Sequence, residues 1–376
     1  MRRMNPQTDP EFILEEIDLL LRKGQGPCLS VLVNLDGDHS DRIRVKDFIR
    51  KAQVCLDNSS IQFATWESVN ERLEIHMAGF EPGQKECAVG IFISSDVDCI
   101  IHFPFKVNEG VVIADSFEVR DVLYLKQYLE PYFVLSLSHR TITLHKGHGG
   151  CIKEIHDETF PIEYHDDHEY SRAVKGSSHG FAAKGFENDK SVVVEQRLEG
   201  PIHQAALHAS KYLDRGRQLI VVGAAKLCST VKESIVARHL IATHPGVLGG
   251  ARFESTSKII WNECRAARRR LVLNEIEKLG NLGMQYRAIG IRNVWEAASK
   301  GKGRLLLVEK DYQKKAYQLA GQSSIRLHPP KDDVRLIEDA VDDVIEKVVH
   351  MGGKILFVEP GDLHRFQNIA LVLRYA

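Results

Sequence analysis

The sequence predicts an α/β protein made of several mixed domains, and three observations support this prediction. The composition is that of an ordinary globular protein, with 43% hydrophobic and 27% charged residues. Apolar runs rich in β-branched residues alternate along the chain with stretches of helical period. The chain has 376 residues, more than the roughly 300 that one hydrophobic core usually serves.

Two classes of protein are excluded by composition. No stretch approaches the roughly 18 apolar residues of a membrane-spanning helix, and the N-terminus lacks the apolar core of a secretion signal. We therefore expect a cytoplasmic protein. Its 7 cysteines are widely spaced and never form Cys-x-x-Cys. They are expected to be buried, reduced thiols and not a disulfide framework or a zinc site.

The first segment, residues 1–128, is predicted to be a mixed α/β domain. Apolar spacing predicts helices over about 12–21, 41–56 and 119–129, and buried strands over 29–33, 88–94 and 99–105. The last of these helices ends at Glu130-Pro131, because proline cannot continue the helical hydrogen-bond ladder.

The second segment, residues 129–274, begins with a predicted hairpin over 132–137 and 141–144. A polar, glycine-containing stretch over 165–190 has no hydrophobic period, and a loop of that length is uncommon unless it is functional or disordered. An apolar strand is predicted over 218–223, followed by helices over 229–240 and 256–279. The loop 165–190 is thus the main functional candidate of this segment.

The third segment, residues 275–376, alternates helix and strand. Helices are predicted over 292–299 and 332–350, and strands over 304–308 and 354–358. Such alternation implies a helix-covered sheet that is parallel at least in part.

Charge is distributed unevenly along the chain. Residues 1–128 carry 14 basic and 21 acidic side chains, residues 129–274 carry 20 and 16, and residues 275–376 carry 16 and 14. A polyanionic partner is therefore expected to contact the second and third segments more than the first.

No motif predicts a catalytic residue, a cofactor or a metal. The glycines at 147, 149 and 150 do not complete a dinucleotide fingerprint, and neither a P-loop nor Gly-x-Ser-x-Gly occurs. His145 and His148, or His165 and His168, could in principle bind zinc or manganese, but no predicted helix would aim their rings together. They are more simply interpreted as solvated loop histidines.

The helix predicted over 256–279 carries a run of arginines. At 100° per residue its buried stripe is predicted to contain Ile260, Cys264, Ala267 and Leu271. Arg265, Arg268 and Arg269 would then face water together and could bind RNA phosphates bidentately. The alternative is a solubilising face paired with acidic side chains such as Glu263.

The loop 165–190 offers a second candidate RNA-binding site. Its candidate contacts are Arg172, Lys175, His179 and Lys184, and a flexible basic loop of this kind can become ordered on RNA. Nearby acidic residues offset much of this positive charge.

The order of several motifs resembles that of archaeal and eukaryotic peptide-chain release factors and Pelota, and more closely that of their bacterial release-factor-like relatives. The resemblance rests on Asp115 to Arg120, Tyr132 to Ser138, Thr143 to Gly147, Asp339 to Asp343, His350 to Lys354 and Leu373 to Tyr375. It implies three α/β domains in release-factor order and a cytoplasmic partner of the ribosome and its rRNA. A Gly-Gly-Gln loop is the hydrolytic group of that family, and this sequence contains none.

These observations predict a ribosome-associated factor of hibernation or rescue type that binds in or near the A site without hydrolysis. An elongation-type GTPase could deliver it, and we expect a monomer without membrane or DNA partners. Two alternatives remain open. One is a peptidyl-tRNA or RNA hydrolase that uses loop histidines such as His179, and the other is a stress-associated protein-interaction module.

Overall fold

The computed structural model describes residues 9–23, 27–57, 66–79, 86–138, 140–163, 199–213, 217–246, 248–249, 253–319, 324–329 and 334–375. Helices and both parallel and antiparallel sheets occur in it, which confirms the mixed α/β class. Contacts divide the chain into a terminal unit, residues 1–129 with 272–376, and a central unit, residues 130–271. The boundaries of three separate domains stay a prediction.

The first part of the terminal unit is a four-stranded antiparallel sheet between two pairs of helices. The strands, in the order β3-β2-β1-β4, are β1 (Cys28–Asn34), β2 (Ala88–Ile93), β3 (Asp98–Phe103) and β4 (Gly110–Ala114). The helices are α1 (Pro10–Lys23), α2 (Asp41–Asp57), α3 (Trp66–Gly79) and α4 (Arg120–Tyr128). Side chains alternate along β1, so Leu29 and Val31 pack toward α2 and α3, whereas Cys28 and Leu32 pack toward α1 and α4.

The central unit is built on one mixed sheet in the order β10-β9-β5-β6-β7, with β8 beside β6. Its strands are β5 (Tyr132–Leu137), β6 (Thr141–His148), β7 (Cys151–Glu154), β8 (Ile162–Glu163), β9 (Gln218–Val222) and β10 (Leu240–His244). Its helices are α5 (residues 199–210), α6 (Ala225–Lys232) and α7 (Phe253–Asn281), of which residues 253–271 belong to this unit. Phe133 and Leu135 on one face of β5 pack against α5 and α6.

The last part of the terminal unit contains two further sheets. The strands are β11 (Arg287–Ile289), β12 (Gly303–Glu309), β13 (Ala316–Leu319), β14 (Ile325–Arg326), β15 (Val334–Ile337), β16 (Lys354–Val358) and β17 (Ile369–Leu373), and the helices are α8 (Gly290–Ser299) and α9 (Ala340–His350). The larger sheet has the order β11-β17-β12-β16, and its β12 and β16 are parallel, as the alternation of helix and strand predicts. The strands β13, β14 and β15 form a small antiparallel sheet.

The two parts of the terminal unit share one continuous hydrophobic cluster. Val122 and Leu125 of α4 belong to it together with Val344 and Phe357 from the last part of the chain. Gln127 adds a two-way contact, since its side-chain amide donates to the carbonyl of Phe357 at 3.0 Å and accepts from its N–H at 2.9 Å.

Two predicted helices are wrong in part. The helix predicted over 229–240 is instead α6, which ends at Lys232, followed by a 3-10 turn at Ala237–His239 and the strand β10. The hydroxyl and the N–H of Ser234 both donate to the carbonyl of Val231, which ends the helix there. The helix predicted over 332–350 begins only at Ala340, because Asp339 caps it and β15 precedes it.

The described residues contain no helix that is both long and apolar enough to cross a membrane. Four of the cysteines are buried, as predicted, namely Cys28, Cys99, Cys228 and Cys264. The prediction is wrong for Cys55, which lies exposed on α2.

Candidate RNA-binding surface

Helix α7 covers the second face of the central sheet. Tyr132 of β5 lies on this face and stacks on Trp261 of α7, with ring centroids 5.8 Å apart and an interplanar angle of 19°. The ring of Tyr132 fits over Gly147 of β6, where an added Cβ would lie 2.3 Å from the ring. The tyrosine hydroxyl donates to the carbonyl of Gly149 at 3.0 Å. These contacts fix the position of α7 on the sheet.

The predicted buried stripe of α7 is correct for three of its four residues. Ile260, Cys264 and Ala267 are buried, but Leu271 is 53% exposed. The helical period places Leu271 on the same side as Cys264, since 7 residues make almost two full turns. The period cannot say whether a neighbouring element continues far enough to cover that side.

The side chain of Arg268 is turned toward the sheet. Its Nε donates to Oε1 of Gln218 at 3.2 Å, and its Nη2 donates to the carbonyl of Glu130 at 2.5 Å. The guanidinium also lies over the rings of Tyr132 and Trp261, at 6.0 and 5.5 Å from their centroids. The expectation that Arg268 faces water beside Arg265 and Arg269 is therefore wrong, and its contacts fit a structural role.

Arg265 and Arg269 are one turn apart, on the side of α7 that the helical period predicts. Arg265 is exposed and Arg269 is half-buried. Arg270, which was not among the predicted contacts, is also exposed, one residue beyond Arg269. We call Arg265, Arg269 and Arg270 the α7 arginine patch. A patch of guanidiniums on a rigid helix can bind phosphates with little loss of conformational freedom.

A second group of basic residues lies on α6 and in the turn before β10, which is the outermost strand of the central sheet among the described residues. Lys226, Lys232 and Arg238 are exposed, and Glu233 is the only acidic residue in the sequence between 224 and 246. We call these three side chains the β10-edge patch. An open cleft of about 350 Å³ lies here, lined by Lys232, Ala237 and residues 240–243. Sequence reasoning missed this patch because it took the segment for one helix.

The geometry around Arg238 fixes the form of a neighbouring histidine. Nε of Arg238 donates to Nε2 of His239 at 3.0 Å, so Nε2 carries no proton. Nδ1 of His239 carries the proton and donates to the carbonyl of Arg217 at 2.9 Å. The imidazole therefore links the Arg238 side chain to the backbone of Arg217.

The histidines of β6 do not form a metal site. His145 and His148 are three residues apart on one strand, so their side chains leave opposite faces of the sheet and cannot converge. His145 is 3% exposed, and its Nε2 lies 2.9 Å from Oγ1 of Thr143. Burial lowers the pKa of His145 to about 4, with a smaller contribution from His156. In the part of the chain that the structure describes, no three His, Cys, Asp or Glu side chains are grouped to hold a metal ion.

The loop 165–190 lies outside the described residues. This holds for Arg172, Lys175, His179 and Lys184, the candidate RNA contacts of the loop, and for His165 and His168. The roles predicted for them stay predictions.

Comparison with known proteins gives matches among solved structures only. No protein-family model and no curated protein matches the sequence. An archaeal translation termination factor is 13% identical, with a TM-score of 0.26 over 98% of both chains. A ribosome-bound archaeal Pelota, solved with ABCE1, is 13% identical, with a TM-score of 0.40 over 96% of this chain and 94% of that chain.

A third structure is Dom34 of S. cerevisiae, a translation termination-like factor that interacts with Hbs1. It is 13% identical, with a TM-score of 0.35 over 98% of this chain and 93% of that chain. At such identities and TM-scores, the activity of none of the three proteins can be assigned to this chain.

Proposed function

We propose that this protein is a ribosome-associated translation factor that binds rRNA through the α7 arginine patch and the β10-edge patch. Both patches lie on the central unit, and the observation that carries the proposal is that five of their six basic side chains, all except Arg269, are exposed on helices and turns of the segment with the positive balance. Phosphates attract such surfaces because bound cations displace the counterions of the nucleic acid. The order of sequence motifs, which resembles that of release factors and Pelota, supports the ribosome as the source of the RNA.

The finer part of the proposal is a hibernation or rescue role in or near the A site, in the cytoplasm, without ester hydrolysis. It rests on the motif order of the bacterial release-factor-like relatives combined with the absence of Gly-Gly-Gln from the sequence. Delivery by an elongation-type GTPase belongs to the same proposal, and so does contact of the loop 165–190 with rRNA through Arg172, Lys175, His179 and Lys184.

Cosedimentation with ribosomes across a salt series tests the binding. The wild-type chain should bind at low salt and dissociate as salt rises. Reversal of Arg265, Arg269 and Arg270 to glutamate should weaken binding and lower the slope of log affinity against log salt by about 2 to 3, since each lost phosphate contact removes somewhat less than one counterion.

A matched control reverses three exposed basic residues of α2, Arg42, Lys46 and Arg50, and so changes net charge by the same amount. It lies in the acidic first segment and should leave binding close to that of the wild type. Equal losses in both variants would mean that net charge, and not the patch, drives association. No association of the wild type at low salt would contradict the proposal altogether.

Incubation with peptidyl-tRNA and with RNA separates this proposal from the hydrolase alternative. The proposed factor should leave the ester and phosphodiester bonds intact, with or without a chelator. Cleavage that is lost in His179→Ala would instead establish the hydrolase. His145 is a poor candidate for such a reaction, because it is buried and neutral at pH 7.

A further inference from the structure

Two sequence motifs that lie more than 200 residues apart meet inside the terminal unit. Glu118, just before α4, and Arg120, the first residue of α4, lie at the N-terminus of α9 near Asp339 and Asp342. Nη2 of Arg120 donates to Oδ2 of Asp339, and the backbone N–H of Arg120 donates to Oδ1 of Asp342 at 3.0 Å. The contact therefore ties the first part of the terminal unit to the last part.

The guanidinium at the centre of this contact is buried. The Arg120 side chain is 3% exposed, and Asp342 is 5% exposed. Nε and Nη1 of Arg120 have no hydrogen-bond partner among the described residues. The cluster is thus a desolvated cation with several acidic groups around it, and its energy depends strongly on how many of them are ionised.

Asp339 accepts two further hydrogen bonds that hold its side chain in place. Its Oδ1 accepts from the N–H of Val341 at 3.0 Å, which caps α9, and from the N–H of Lys314 at 3.3 Å. Asp339 is the counter-charge of Arg120, since its Oδ2 accepts from Nη2 of the guanidinium. One guanidinium and one carboxylate are then balanced, and every further negative charge is in excess.

The groups that would supply the excess charge are Glu118 and Asp342. Burial, followed by the charge of Asp339, raises the pKa of Glu118 to about 7. Burial, followed by the charge of Glu118, raises the pKa of Asp342 well above its ordinary value. Other titratable or charged groups near the cluster include Asp121 at the start of α4, Glu309 at the end of β12, Asp311, Tyr312 and Lys314 after it, Asp343 of α9, and Lys347, which pairs with Asp343.

Of these neighbours, Asp121 and Tyr312 act in the same direction. Burial raises the pKa of Asp121 to about 6, although the N–H of Asn108 donates to its carboxylate and opposes the shift. Burial also raises the pKa of Tyr312, which stays neutral. Burial therefore favours the protonated form of Glu118, Asp121 and Asp342.

We propose that the Arg120 cluster is a proton-dependent latch that holds the first and last parts of the terminal unit together. With Glu118 and Asp342 protonated, Arg120 balances Asp339 and the latch is closed. Ionisation of the two acids leaves one buried cation facing three carboxylates, of which that of Asp342 is buried, and the latch loosens. The inference is independent of the proposed function and concerns a conformational device of the fold.

The sign follows from the raised pKa values. An acid whose pKa is higher in the closed state stabilises that state fully below its ordinary value, and the stabilisation is lost as the pH rises through the raised value. For Glu118, whose ordinary value is 4.5 and whose closed value is about 7, the equilibrium between closed and open latch shifts about tenfold toward open between pH 6 and pH 8.

Hydrogen–deuterium exchange of the full chain tests the latch. Peptides that cover residues 118–125 and 339–345 should lose about tenfold in protection between pH 6 and pH 8, after correction for the intrinsic exchange rates. Glu118→Gln, which mimics the protonated acid, should keep at pH 8 nearly the protection that the wild type has at pH 6. If Glu118→Gln does not fold, Asp342→Asn serves the same purpose.

Gln127→Ala is the matched control. It removes the two hydrogen bonds to Phe357 in the same interface and titrates nothing. Protection should fall by the same factor at pH 6 and at pH 8, so the tenfold difference between the two pH values should remain. A wild-type chain with equal protection at pH 6 and pH 8, or a Glu118→Gln chain that retains the tenfold loss, would overturn the inference.

Discussion

The guanidinium of Arg268 lies over the indole of Trp261, with its central carbon 5.5 Å from the ring centroid. The same group donates to the side chain of Gln218, the first residue of β9, and to the carbonyl of Glu130, which lies two residues before β5. One arginine of a run of basic residues thus fastens α7 to the central sheet, while Arg265 and Arg270 remain exposed.

Removal of this arginine should destabilise the protein. Arg268→Ala loses two hydrogen bonds and the cation–π contact, and we expect the free energy of unfolding to fall by about 2 kcal/mol. Urea unfolding followed by circular dichroism measures it. The control Arg265→Ala should stay within about 0.5 kcal/mol of the wild type. An Arg268→Ala chain of unchanged stability would show that the contacts to Gln218 and Trp261 contribute nothing.

Gly147 is required by the ring of Tyr132. An alanine Cβ there would lie 2.3 Å from that ring, so Gly147→Ala should cost about 1 to 3 kcal/mol through overpacking. Gly110→Ala on β4 is the matched control, because nothing lies within 4 Å of its added Cβ. It should be neutral or slightly stabilising. Thermal unfolding of both variants decides the point, and equal melting temperatures would contradict it.

The buried His145 should make stability depend on pH in acid. Because its pKa is lowered to about 4 in the folded chain, the unfolded chain takes up its proton first as the pH falls below the ordinary value of 6.5. Between pH 6.5 and 4 the wild type should lose about 3 kcal/mol more than His145→Gln does. Urea unfolding at several pH values checks this.

The exposed His203 of α5 provides the control for that experiment. His203→Gln should follow the wild-type pH profile. If His145→Gln follows it as well, the imidazole of His145 is not held neutral by burial.

Thiol reactivity should follow exposure. Cys55 is exposed and should react with N-ethylmaleimide in the folded protein. Burial raises the pKa of Cys28 and of Cys99 to about 12 and that of Cys264 to about 11, so these thiols should stay unmodified. Mass spectrometry of peptides gives the site of labelling, and denatured protein, in which all 7 should react, is the reference. Similar labelling of Cys55 and Cys264 in the folded chain would contradict the structure.

Hydrophobic period predicted the long, self-consistent elements well. Helices α2 and α7 and strands β1, β5 and β9 lie within a few residues of their predicted bounds, because each buries a stripe or run that its own sequence contains. The wrong predictions lie where a tertiary contact or a short polar side chain determines the residue at which an element begins or ends. Ser234 ends α6 and Asp339 starts α9, and the capping signal of Asp339 could have been found in the sequence.

The candidate site was predicted only in outline. The sequence identified a run of arginines, but it could not show that Gln218, Glu130 and two aromatic rings would take up Arg268. For the same reason it missed the β10-edge patch, since the cleft beside Lys232 is lined by β10, a strand that the sequence did not predict. Which charged side chains of a run remain exposed is a tertiary property.

A density map of the chain mixed with purified ribosomes is the most direct test of the central claim. We expect density for the chain in or near the A site, with Arg265, Arg269 and Arg270 within hydrogen-bonding distance of rRNA phosphates. Ribosomes without the chain bound, or a chain bound with the α7 arginine patch turned to solvent, would contradict it.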